Sequence, residues 1–145
     1  MHRLSMILSL VLGVLMFMFG ILKFLQPFSG WFEVQIQQSH LPQASILAGK
    51  VGEMVTGFLF LLPWLWRSLS TNRREQLLLI ACLMLVAEMC TAIYVHLQPA
   101  VPSGVLPLGI KPPVIPIAVL LLALLTAFAV WQTRPTAPFD SRITK

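Results

Sequence analysis

Charge is scarce in this sequence. Of 145 residues, 10% are Asp, Glu, Lys or Arg and 57% are hydrophobic, so too little polar surface remains to cover an ordinary soluble globule. Cysteine is scarcer: Cys82 and Cys90 stand alone, with no CxxC pair to form a dithiol redox centre. Eight residues apart on one helix, they are separated by about 12 Å and cannot bridge each other. Both are expected to be small buried apolar side chains. No tandem repeat or low-complexity tract is present, and no residue set suggests a catalytic or metal-ligating centre.

Long apolar runs are what the chain does have. Residues 4–24, 46–66, 77–97 and 114–131 each reach roughly the 17 to 25 residues needed to cross about 30 Å of hydrocarbon as a helix. In lipid the backbone must satisfy its own hydrogen bonds, so these windows are expected to be α-helices. The expected fold is all-α, a transmembrane four-helix bundle forming one membrane domain over residues 1–132, followed by a polar cytoplasmic tail over 133–145. The first window follows Arg3 as a secretory signal would. Its length and the lack of a small-x-small site around Gly20 to Lys23 favour a retained span.

The cationic side chains are distributed unevenly. Arg3, Arg67, Arg73, Arg74, Arg134, Arg142 and Lys145 fall on one side of the spans, against Lys23, Lys50 and Lys111 on the other. This bias predicts cytoplasmic termini and two extracytoplasmic loops. It also accounts for the net charge of +5 without a nucleic-acid partner. Trp64, Trp66 and Trp131 fit the inner interface, and Trp31 and Tyr94 the outer one. The expected location is the bacterial cytoplasmic (inner) membrane, with multiple passes.

In the first external segment, residues 26–45, a short helix along the bilayer surface would place Phe28, Trp31, Phe32 and Ile36 on one side and Glu33, Gln37 and Gln38 toward water. An irregular loop with anchoring aromatics is the alternative. The second segment, residues 98–116, holds six of the eleven prolines. It reads as a stiff cap with no regular helix before about Ile115.

The second window raises a question, because Lys50 and Glu53 lie inside an apolar run among glycines. Gly49, Glu53 and Gly57 recur at i, i+4 and i+8 and share a stripe, which points them at a neighbouring helix. Gly52 lies beside that stripe, and Gly13 and Gly20 mark a packing face on the first span. Lys23 comes from that span and Glu88 from mid-membrane in the third. His96 sits near the third span's external end. An unpaired charge at mid-bilayer costs about 2.5 to 3.5 kcal/mol on insertion scales, so Lys23, Lys50, Glu53, Glu88 and His96 are expected to gather as an outward-facing polar pocket. Glu53 pairs either with Lys23 across helices or with Lys50 along its own. Glu88 has no obvious cation at its depth. It is either protonated or borders a wet cavity.

These features carry a resemblance. GVLMFMFGILKFLQPF, from Gly13, ends a Gly-x-x-Lys step at Lys23 and resembles the first span of DoxX-like membrane proteins. LPQASILAGKVGEMVTGFLFLLP, from Leu41, resembles their second span, with Gly52, Glu53 and Gly57 in its core; His96 fits a histidine ending the third. The resemblance covers roughly residues 4–131 and implies a four-helix integral membrane protein in which Lys23, Glu53 and His96 matter most. Lys50 and Glu88 have no placed counterpart. Such families are associated with quinone-linked thiosulfate oxidation, redox stress complexes and assembly roles, and a related branch with membrane chaperones of neurotransmitter-gated channels.

Three functions follow as expectations. The first is an accessory or assembly subunit without catalytic activity of its own, whose polar pocket takes a small apolar ligand or a membrane-protein partner's helix. No cofactor is evident for it. The second is a quinone-interacting subunit of a redox complex, with Lys23 or His96 donating to a quinone oxygen; it lacks an electron carrier, a dithiol and a paired-histidine haem pattern. The third is a proton-coupled transporter component relaying through Glu88, weakened by the lack of inverted repeats. In each the lipid bilayer is the surrounding partner.

Overall fold

The structure, a computed structural model, describes residues 3–132; the tail at 133–145, with Arg134, Arg142 and Lys145, lies outside the described residues. It is all-helical among those residues. Five helices follow in order: α1 (Arg3–Leu22), α2 (Phe28–Gln38), α3 (Ala44–Leu65), α4 (Thr71–Leu97) and α5 (Val114–Trp131). Helices α1, α3, α4 and α5 are long and apolar enough to cross a membrane, the arrangement of a multi-pass integral membrane protein.

Each long helix packs on two neighbours, α1 on α3, α3 on α4, α4 on α5 and α5 back on α1, which closes a four-membered ring. Its centre is apolar: Leu12 and Met16 from α1, Phe60 from α3, Leu78, Leu85 and Met89 from α4, and Val119 and Ala123 from α5. The outside is equally apolar, with Leu83 71% exposed, Leu121 60% and Phe128 59%. Exposed apolar surface on this scale suits contact with hydrocarbon.

Small residues set the closest seam. A Cβ on Gly57 would overlap the backbone nitrogen of Phe17, and one on Gly20 would sit 2.8 Å from the backbone nitrogen of Met54. Helices α1 and α3 therefore touch backbone to backbone at two levels, as small-residue packing in membranes permits. Gly13 faces Leu61 on the same seam.

The helix ends differ from the hydropathy windows. Helix α4 starts at Thr71, not at 77, because Asn72 to Gln76 are polar yet mostly good helix formers; its 27 residues span about 40 Å, longer than the hydrocarbon. Helix α1 stops at Leu22, so Lys23 lies in the turn beyond it. The first external segment does form a helix, α2, but with a different face inward. Ser29, Phe32 and Ile36 are buried at i, i+3 and i+7, while Phe28 and Trp31 are exposed. The register follows Phe32, whose ring occupies the space left by Gly49.

The proline-rich segment makes two 3-10 turns, Ser103–Val105 and Pro107–Gly109, before α5 begins at Val114. Val101 and Leu106 bury against Val95, with Leu41 and Val105 alongside. Lys111 reaches back to donate to the Gln98 carbonyl at 2.5 Å and to the Val101 carbonyl. Gln35 of α2 donates to the Val105 carbonyl, which ties α2 to this cap. Of the cysteines, Cys82 is buried but Cys90 is exposed. The expectation of two buried thiols fails for Cys90, because eight residues is 2.2 helical turns and carries the side chain off the core stripe.

Candidate functional site

Three helices place polar groups where α1, α3 and α4 meet. Lys23, just past the end of α1, donates from Nζ to Glu53 Oε1 of α3 at 2.6 Å, with the two side chains 19% and 12% exposed. The ammonium also lies 3.9 Å from the centroid of the Phe32 ring, a cation–π contact. Of the two partners expected for Glu53, the structure takes the inter-helical one. Lys50 turns away instead.

One turn deeper along α3, Thr56 donates from Oγ1 to Glu88 Oε1 of α4 at 2.8 Å. Thr56 is fully buried. Gly52 makes room beside this bond, since a Cβ there would stand 3.0 Å from Glu88 Oε1. The second oxygens, Glu53 Oε2 and Glu88 Oε2, are inaccessible and have no hydrogen-bond partner among the described residues. Each carboxyl group therefore has one oxygen engaged and one without a partner among the described residues. Buried acceptors without donors are uncommon and costly, about 1 to 3 kcal/mol each.

Lys50 belongs to a second cluster, between α3 and α2. Its Nζ donates to Ser29 Oγ at 3.0 Å and lies 3.4 Å from Glu33 Oε1, while Ser29 Oγ donates to Glu33 at 3.2 Å. Glu33, expected to face water, keeps its side chain 45% exposed while one oxygen reaches the buried Lys50 ammonium. This cluster pins α2 to α3, and Phe32 between the two clusters packs over Gly49 and against Lys23.

His96 belongs to neither. It is buried two turns beyond Glu88 on α4, and its Nδ1 lies 3.2 Å from the Lys111 carbonyl. Nδ1 opposite a carbonyl must carry the proton, so His96 is a donor committed to the cap.

The five expected residues thus divide into three places: Lys23, Glu53 and Glu88 at the polar centre, Lys50 beneath α2, and His96 under the cap. Two hollows lie elsewhere. One of about 350 Å3 is lined by Val14, Phe17, Met18, Ile21, Leu22 and Leu61, on the apolar α1/α3 seam, and ends at the residue preceding Lys23. The other, about 310 Å3, lies at the α3–α4 connection. The polar centre itself is packed, with buried Phe32 over it.

Thr56, Phe32, Ser29 and Lys111 are partners that the sequence pattern does not single out. Thr56 was within reach, being a polar residue three positions from Glu53 and so on the same helical face. Phe32 and Ser29 carried no such signal, since their role depends on how α2 folds back.

Chemically, the centre is a set of acceptors with one balanced cation. Among the described residues no group of three or more His, Cys, Asp or Glu side chains could hold a metal ion. Compared with protein-family models, with curated proteins and with solved structures, the chain finds no match.

Proposed function

We propose that this protein is a DoxX-like accessory or assembly subunit of the bacterial cytoplasmic membrane, with its termini on the cytoplasmic side. Its outward-facing polar centre receives a small, mainly apolar molecule, or a partner's membrane segment, that brings hydrogen-bond donors. One observation carries this reading: the buried Oε2 atoms of Glu53 and Glu88, which have no hydrogen-bond partner among the described residues. A hydroxyl or amide N–H entering between α1, α3 and α4 would satisfy them in a low-dielectric setting, where such bonds orient a ligand most strongly.

Quinone binding through His96 Nδ1 is disfavoured, because that nitrogen is engaged with the Lys111 carbonyl.

The test is gentle purification from the native membrane, with mass spectrometry of the co-purifying lipid-like molecules and polypeptides. Glu53→Gln and Lys23→Met should each lower recovery of a specific companion several-fold per molecule of inserted protein. Recovery equal to the parent for every companion in both variants would refute the proposal.

A further inference from the structure

At the opposite end of the bundle, the α3–α4 connection has its own construction. Arg74 does not face outward; its Nε donates to the Leu69 carbonyl at 3.0 Å, and its Nη2 to the Arg67 carbonyl. The loop is closed by Leu69 N–H donating to the Trp66 carbonyl at 3.3 Å. One arginine thus shapes the connection from within and presents the remaining polar groups outward.

Those groups line a hollow of about 310 Å3 formed by Trp66, Ser68, Leu69, Ser70 and Arg73. Arg73, Ser68 and Ser70 are exposed, as is Arg67 beside them. None of these four side chains has a hydrogen-bond or ion-pair partner among the described residues. Glu75, the one acid between residues 54 and 87, is buried. The result is a concave, cationic, donor-rich surface. It complements an anion.

The level of the hollow narrows the choice of anion. Trp66 is 59% exposed and Leu65 69%, at the end of an apolar span. Nearby in sequence, Trp64 donates to the Met6 carbonyl and to Ser9 Oγ, each at 3.2 Å, so these tryptophans mark the end of the bundle where α1 begins. Tryptophan at a span end sits at headgroup depth. A guanidinium and two hydroxyls there match phosphate oxygens, while Trp66 and Leu69 offer apolar surface that a bare anion leaves uncovered. Basic pockets between membrane helices suit lipid headgroups for this reason.

We propose that Arg73, with Ser68, Ser70 and Trp66, forms a binding site for the phosphate headgroup of an anionic phospholipid at the α3–α4 end of the bundle. Arg67 flanks it. The site is independent of the polar centre, about 20 Å away along α3 and α4, and stands whether or not that centre binds a ligand.

The full chain in nanodiscs of phosphatidylcholine, with or without phosphatidylglycerol of the same acyl chains, provides the test, read as lipid retained in native mass spectrometry. Phosphatidylglycerol should be retained in preference to phosphatidylcholine. Arg73→Gln should weaken that retention about fivefold, the contribution of one arginine near the surface. Arg3→Gln, which removes a charge at the same end but outside the hollow, should change it far less. Equal losses in the two variants would reduce the effect to diffuse surface charge and overturn the site. Displacement of the lipid by an equal concentration of glycerol 3-phosphate would assign the hollow to a free phosphate and overturn the lipid proposal.

Discussion

Thr56→Val isolates the bond that joins α3 to α4 inside the bundle. Thr56 is fully buried, and its hydroxyl is the one donor to Glu88 among the described residues, at 2.8 Å. Valine keeps nearly the same shape, so little of the effect comes from packing. What changes is that Glu88 loses its donor while its other oxygen already lacks one. Inter-helical hydrogen bonds in membranes average about 0.6 kcal/mol and reach about 1.7 in double-mutant cycles. A buried acceptor left wholly unpaired costs about 1 to 3. The expected destabilisation is therefore about 1 to 2 kcal/mol, measured by reversible unfolding in mixed micelles on addition of dodecyl sulfate. The decisive comparison is the same substitution in a Glu88→Leu background, where no acceptor remains and the cost should fall to within about 0.5 kcal/mol of zero. An equal cost in both backgrounds would show that Thr56 acts through packing alone, and the proposed bond would have no energetic content.

Gly57→Ala should destabilise the bundle by about 1 to 3 kcal/mol in the same assay, since its Cβ meets the backbone of Phe17 and α1 must move outward. Gly104→Ala, in open space, should stay within about 0.5 kcal/mol of the parent. Lys23→Met should cost more than Glu53→Gln, because the first leaves a buried carboxylate without its cation and the second leaves Lys23 an amide oxygen to donate to; a difference of about 2 kcal/mol is expected, below the roughly 3 to 5 of a fully buried pair. The reverse order would mean that Glu53 does not depend on Lys23. In detergent, N-ethylmaleimide should modify Cys90 well before Cys82, as mass spectrometry of timed digests will show.

Much of the fold was legible because a lipid solvent restricts the chain to few choices. Length and hydropathy are properties of local sequence, so the four spans could be read with boundaries off by a few residues. The start of α4 departs furthest from its window, because hydropathy marks the depth of the hydrocarbon and the helix continues past it on propensity. The glycine stripe likewise told which side of α3 faces a neighbour, and burial cost told that Glu53 must find a cation.

The tertiary structure alone decided which cation that was. Lys50 lies three residues from Glu53 on α3 while Lys23 comes from the end of α1, and the choice rests on α2 folding back to bring Ser29 and Glu33 to Lys50. That fold-back also placed Phe32 over Gly49 and separated Lys50 from the polar centre. His96 was drawn off in the same way, by a carbonyl fifteen residues along the chain. Spans are fixed by the free energy of moving each segment from water into lipid, which a short window of sequence contains. Partners of buried polar groups are fixed by which segments arrive at the same depth, and that depends on the packing of the entire chain.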